Sequence, residues 1–363
     1  MTRRIAIAAG GTAGHVHPAL AVADAYRARD PDVEIIFLGT TDGIETRLVP
    51  HRGYPLRAIP GAPLFGVGVA GKARALAALI RGVAAARALL RSAQTELVVG
   101  FGGYAGAGAI VAARSLGLAT AIHEANAVPG IANRLLGRFA DRVLLGFPAA
   151  AAGFQSQKTL VTGLPVDDAI AAAARARIAR TDPNTFRVLI SGGSGGSAFL
   201  NTHVPELLAR VAQADVRLAI HHQSGTRDLA TVREAYRDAR LEATVSAYIE
   251  NMAAAYQASD FAITCAGAGT LAELAALGMP ALLTPLGTAA LDHQRANASA
   301  YAAMTGSRWT AEDVWNIDEI AAHLIGLAQS PAALADAAAW VRTAARTDAA
   351  RIVVEALEAL LQR

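Results

Sequence analysis

The sequence contains a single cysteine, Cys265. One thiol builds neither a disulfide framework nor a cysteine zinc site, and it fits a reducing compartment. Lysine is nearly absent: Lys72 and Lys158 stand alone, and every other basic side chain is arginine or histidine. The formal net charge is only +3, which calls for no nucleic-acid partner; any basic surface would have to be a local patch. Long apolar runs are missing too. No segment approaches the roughly 20 apolar residues of a membrane span, and the run after Met1-Thr2-Arg3-Arg4 is too short for a signal-peptide core. These absences predict a cytoplasmic chain that reaches a membrane only by docking on its surface. No Gly-x-x-x-x-Gly-Lys-Ser/Thr occurs, which argues against a P-loop NTPase.

What is present is apolar and alternating. The 363 residues suggest two domains, at roughly 150 per domain. A hydrophobic content of 53% supplies two cores and argues against disorder. Short β-branched runs alternate with Ala/Leu/Arg stretches. Strands are expected at 4–9, 34–38, 97–99, 119–123 and 142–145, with helices over 18–29, 72–92 and 105–116. The pattern restarts with strands at 186–190, 216–221, 261–264 and 281–284 and a helix over 269–276. The stretch from Pro331 to Gln362 reads as helical throughout. This is the rhythm of parallel sheets covered by helices: an α/β chain of two doubly wound units.

Each unit opens with a strand, a glycine loop and a helix. Such a loop aims backbone N–H groups and a helix dipole at one spot, usually a phosphate site. The candidates are Gly10–Gly14, Gly102–Gly108, Gly192–Gly196 and Gly267–Gly269. One such loop can be a plain tight turn; four on two matched units point to a phosphorylated ligand between them. The dinucleotide fingerprint fails, because the first loop reads Gly10-Gly11-Thr12-Ala13-Gly14-His15 and the second strand ends in Gly39-Thr40 rather than in an acid. His15 enters a helix N-terminus, which disfavours imidazolium and suits a general base; the alternative is a histidine that only hydrogen-bonds loop or ligand. His17, beside Pro18, reads as structural. Glu273 is either a ribose ligand or an ordinary solvated helix residue.

Taken together, the motifs resemble one family. They are Gly10 to His15 with Pro18, Leu38-Gly39-Thr40 with Gly43-Ile44-Glu45, Gly102-Gly103-Tyr104, His123-Glu124 with Asn126, and Arg134. The second half adds Gly192-Gly193-Ser194, His222-Gln223-Ser224-Gly225, Tyr248-Ile249 with Met252 to Tyr256, Ala266-Gly267-Ala268 with Thr270 and Glu273, and Asp292-His293-Gln294 with Asn297-Ala298. In this order, over essentially the whole chain, they resemble the MurG family of bacterial glycosyltransferases. The resemblance implies two Rossmann-like domains of the GT-B type: an acceptor and membrane-facing domain over 1–162, joined by a C-terminal helix over 346–363, and a donor domain over 163–345. It implies inverting transfer of GlcNAc from UDP-GlcNAc to the MurNAc 4-hydroxyl of lipid I, giving lipid II, with no tightly bound metal or other cofactor. His15 would be the base. Thr12, Ala13, Gly14, Asn126, Ser194, Ile249, Ala268, Gly269, Thr270, Leu271, Ala272, Glu273 and Gln294 would bind the donor. Gly14, His15, Gly102, Gly103 and Tyr104 would bind the acceptor. Cell-wall synthesis and division proteins are further expected partners.

The sequence departs from the family at four places. Asp167 stands where an arginine is usual, Gly195 and Ala125 where glutamines are, and Cys265 where another arginine is. These remove positive charge and hydrogen bonds from the donor pocket. They keep three alternatives open: a related GT-B transferase, an epimerase, or a non-catalytic scaffold that binds lipid-linked precursor. An epimerase would need paired carboxylates, and none is identifiable. For membrane contact, the apolar residues Leu64, Phe65 and Val67 precede a helix carrying Lys72, Arg74, Arg81, Arg87 and Arg91 with no acid before Glu96. An apolar tip beside a basic helix is expected to dock on anionic lipid, the cytoplasmic face of the membrane; otherwise the loop packs on its own domain.

Overall fold

The computed structural model describes residues 2–61, 69–176, 182, 184–193, 195–287 and 292–362; the side chains of 69–73 and of Tyr104 also lie outside the description. By contact density the chain forms two units, Met1–Asp167 with Arg346–Arg363, and Asp168–Ala345.

The first unit alternates strand and helix. In order come β1 (Arg4–Ala8), α1 (Ala13–Arg29), β2 (Glu34–Gly39), α2 (Glu45–His51), β3 (Leu56–Ala58), α3 (Val69–Ser92), β4 (Leu97–Gly100), α4 (Gly103–Ser115), β5 (Ala119–Glu124), α5 (Ile131–Leu136), β6 (Arg142–Leu145) and β7 (Thr159–Val161). The second unit runs α6 (Asp168–Arg175), β8 (Thr185–Ser191), α7 (Ala198–Ala212), β9 (Arg217–Gln223), α8 (Leu229–Asp238), β10 (Ala243–Ser246), α9 (Met252–Gln257), β11 (Phe261–Thr264), α10 (Ala268–Leu277), β12 (Ala281–Leu283), α11 (His293–Thr305), β13 (Arg308–Trp309), α12 (Ile317–Gln329) and α13 (Pro331–Thr343). The chain then returns as α14 (Ala349–Leu361) to pack on α1 in the first unit.

Both sheets are parallel, in the order β3-β2-β1-β4-β5-β6-β7 and β10-β9-β8-β11-β12-β13. Parallel strands buried on both faces need apolar side chains on both, and Ile5, Ile7, Val98, Val99, Val188 and Ile190 supply them. One face of the first sheet packs on α1 and α14 through Val16, Leu20, Val353 and Leu357; the other packs on α3 and α4 through Leu90 and Ile110. The second sheet buries Phe186 and Phe261 with Leu207 of α7 and Leu324 of α12. The α/β class and the two doubly wound units expected from the sequence are what the structure shows.

Two expectations need correction. The stretch from Pro331 to Gln362 is not one helix: α13 ends at Thr343 and α14 begins at Ala349. The break is the point where the chain leaves the second unit for the first, so it cannot be helical throughout. The first helix begins at Ala13, with Pro18 inside it. Pro18 lies past the first turn, and having no N–H it leaves the Gly14 carbonyl without its usual helical donor.

Candidate active site

In an open parallel sheet, ligands bind at the carboxyl ends of strands where the strand order reverses. In the first sheet that place lies between β1 and β4; in the second it lies between β8 and β11. The glycine loops Gly10–Gly14 and Gly102-Gly103 leave the first pair, and Gly192–Gly196 and Gly267 leave the second.

In the first unit the two loops touch through backbone. Gly103 has φ +78°, and a Cβ there would stand 2.5 Å from the Gly10 carbonyl oxygen. Any side chain would separate the loops. His15 lies in the first turn of α1, its ring against Gly102, where a Cβ would meet Nε2 at 2.8 Å. Its Nδ1 is 3.2 Å from the Gly10 carbonyl oxygen. A carbonyl only accepts, so Nδ1 carries the proton and Nε2 of the neutral ring keeps its lone pair. Burial pushes the imidazole below its usual range, against the Gly10 carbonyl and the carboxylates of Glu124 and Glu45, which pull it up. The ring is a neutral acceptor with a fixed tautomer.

Two buried carboxylates hold the surrounding loops. Glu124, at the end of β5, accepts from Asn126 N and Nδ2, Gly130 N and Asn133 Nδ2, at 2.8–3.2 Å. Asn126 is therefore aimed by Glu124. Glu45 accepts from Gly11 N, Thr40 N and Thr40 Oγ1 at 2.9, 2.9 and 2.7 Å. The first loop thus differs from a plain anion cradle, because its Gly11 donor already serves a carboxylate. His123 is structural: stacked on Phe101, it donates from Nε2 to the Gly163 carbonyl at 3.1 Å, and burial lowers its pKa to about 4. Asp167, unusual for its position, is paired with Arg52, which also binds Asp24. Its charge is met inside the first unit.

In the second unit the loop after β8 meets the loop after β9 backbone to backbone. Gly196 has φ +74°, and a Cβ on it would stand 2.0 Å from the Ser224 carbonyl oxygen. Buried Gln223 ties the site together. Its Nε2 donates to the Gly193 carbonyl at 2.7 Å and its Oε1 accepts from Ile249 N at 2.8 Å. Ile249 thus has its N–H engaged by Gln223. His222 donates from Nε2 to Asn201 Oδ1 and accepts from Tyr236 at Nδ1; burial lowers its pKa to about 3. The helix α10 starts at Ala268 with no acid in its first turn. Glu273, on that helix, accepts from buried Tyr256 at 2.8 Å, so it is a positioned carboxylate rather than a freely solvated one. Gln294 Oε1 accepts from Ala266 N and Leu286 N at 3.1 and 3.0 Å, which fixes the side-chain amide between the two loops. Burial pushes the Cys265 thiol up to about 12, so it is neutral.

The sequence-derived residues gather in two groups. Thr12, Ala13, Gly14, His15, Gly102, Gly103 and Asn126 share the carboxyl edge of the first sheet. Ile249, Ala268 to Glu273 and Gln294 share that of the second. Ser194, Leu64, Phe65 and Val67, and the side chains of Tyr104 and Lys72, lie outside the described residues. Sequence reasoning gave no role to Glu45, Gln223 or Tyr256. All three were visible only as members of motifs, and the contacts that give them roles, such as Glu45 with Gly11 and Gln223 with Gly193 and Ile249, form only in the fold.

Residues 5–145 match the glycosyltransferase family 28 N-terminal domain, and residues 187–352 match its C-terminal domain. The chain belongs to glycosyltransferase family 28. Within this family, it is 38% identical to the UDP-N-acetylglucosamine–N-acetylmuramyl-(pentapeptide) pyrophosphoryl-undecaprenol N-acetylglucosamine transferase of Citrifermentans bemidjiense, over 98% of this chain and 99% of that one. Among solved structures, Acinetobacter baumannii MurG superposes with a TM-score of 0.80 at 30% identity, covering 98% of this chain and 99% of that one. A putative UDP-N-acetylglucosamine 2-epimerase from Listeria monocytogenes shares the fold alone, with a TM-score of 0.71 at 12% identity over 100% and 97% of the two chains. The family 28 chain is a glycosyltransferase of the GT-B class, as the resemblance implied.

Proposed function

We infer that the protein transfers GlcNAc from UDP-GlcNAc to the 4-hydroxyl of MurNAc in lipid I, forming lipid II with inversion. Relatives named for this donor and acceptor support the substrate pair. The observation that carries the chemistry is His15: a neutral ring whose Nδ1 is fixed on Gly10 and whose Nε2 lone pair is available at the strand-order reversal. Nε2 takes the proton of the attacking hydroxyl as its oxygen bonds to the anomeric carbon. The bond from that carbon to UDP breaks, and UDP leaves with the electron pair. Backbone donors of the loop after β8 and of the α10 N-terminus receive the new charge on the diphosphate. The second unit suits that role better than the first, since no acid occupies the first turn of α10 whereas Glu45 occupies the first loop. Glu273 binds the ribose, Ile249 offers its carbonyl to the uracil N–H, and Gln294 and Asn126 read sugar hydroxyls. Gly14, Gly102 and Gly103 border the acceptor. Determination of the product linkage by NMR tests this reading: a β(1→4) disaccharide is expected, and an α linkage or another position refutes it.

Docking of the first unit on anionic lipid completes the proposal. Helix α3 turns Leu76, Ile80 and Ala84 outward, with Leu76 54% and Ile80 63% exposed, beside exposed Arg74 and Arg81. An unpacked apolar stripe with arginines fits a membrane surface. Arg87 does not join it, because its guanidinium donates to the Ser115 carbonyl at 2.9 Å. Among the described residues no single helix is long and apolar enough to cross a membrane.

A further inference from the structure

We propose that Glu45 is a positioning residue for the reaction, the group that holds the first glycine loop and, through it, the His15 ring. It is fully buried yet ionised. Burial raises its pKa, but the hydrogen bonds from Thr40 and Gly11 outweigh that and hold the carboxyl below its usual range.

The geometry gives each carboxylate oxygen its own task. Oε1 takes both the backbone N–H and the hydroxyl of Thr40, from the loop after β2. Oε2 takes the N–H of Gly11, from the loop after β1. One side chain therefore ties two loops whose strands are neighbours in the sheet. The space it fills exists because the residues around it have no side chains: a Cβ on Gly10 would stand 2.4 Å from Oε1, and one on Gly43 would stand 1.9 Å from Oε2. Gly10 is the residue whose carbonyl fixes the tautomer of His15. The path from Glu45 to the base is thus two hydrogen bonds and the one peptide unit between them. A buried acid kept only for stability would need partners, but not partners on the loop that carries the base.

The test is Glu45→Gln, which keeps shape and loses one acceptor. Its amide can satisfy Thr40 N or Gly11 N but not both, so one N–H faces an NH2 group and the loop shifts. The inference rests on His15 as base, and two readouts separate the claims. In steady-state transfer from UDP-GlcNAc to a soluble lipid I analogue, kcat should fall by about tenfold to a hundredfold. The KM for UDP-GlcNAc should hold within about twofold. In 15N spectra of histidine-labelled protein, the His15 ring, assigned with His15→Ala, should lose its fixed Nδ1–H signature. A changed His15 signal with no loss on His15→Ala supports the positioning and removes the base. Unchanged kcat with an unchanged ring signal overturns the proposal, as does a fall in kcat that only tracks a lowered melting temperature. Should Glu45→Gln not fold, Thr40→Val removes only the hydroxyl donor. It should lower kcat about threefold and move the ring signal in the same direction; no change in either overturns the proposal.

Discussion

At the scale of single residues, His15 is defined by what its other nitrogen does. The Gly10 carbonyl commits Nδ1 to a proton, and burial keeps the ring neutral below the ordinary imidazole value of about 6.5. A base must be deprotonated to act, so activity is lost as pH falls through the lowered pKa. The acid limb of kcat/KM should therefore have its midpoint below about pH 6.5. In His15→Ala the residual rate should be low and lack that limb; an unshifted limb in the variant would assign it to another group. His15 itself was legible in the sequence, because a strand, glycines and a helix start put it at a cleft. Its control was not: Glu45 acts from 34 residues away on Gly11, and only the fold brings the two together. The same holds for Asp167, which in the sequence was an unexplained acid and in the structure is a partner of Arg52.

At the scale of elements, the long buried strands and amphipathic helices were legible because apolar residues fill both faces of a parallel sheet. The short outer strands β3, β7, β10 and β13 were not, since they span only two to four residues and are partly exposed. Nor was the break between α13 and α14, where an alanine-rich run supplies no proline or glycine to mark it. On α3 the sequence pointed to basic residues, whereas the structure adds Leu76 and Ile80 as exposed apolar ones. If this face docks on lipid, Leu76→Ser with Ile80→Ser should weaken binding to vesicles containing anionic lipid by about tenfold or more. Transfer to a soluble acceptor should be unaffected. Sedimentation with vesicles and a soluble-acceptor assay check this together; equal losses in both would place these side chains in the catalytic machinery instead.

At the scale of the whole molecule, each unit keeps a buried neutral histidine in its polar framework, His123 in the first and His222 in the second. Their pKa values, about 4 and about 3, lie below the value of an unfolded chain. The unfolded state therefore binds more protons than the folded one between those values and about pH 6.5. Their contribution is intact above about pH 6.5 and is lost as the pH falls toward 4 and then 3. Each histidine adds a slope of up to about 1.4 kcal/mol per pH unit in that window. Urea unfolding from pH 7 to pH 4.5 should show stability falling with pH, with a shallower fall in His222→Gln than in the parent; an identical slope would contradict the burial argument. The central claim is tested most directly by radiolabelled transfer from UDP-GlcNAc with a soluble lipid I analogue. Label should enter a lipid-linked disaccharide only when the acceptor is present, and scarcely at all with His15→Ala. No labelled disaccharide at any donor concentration would contradict the account.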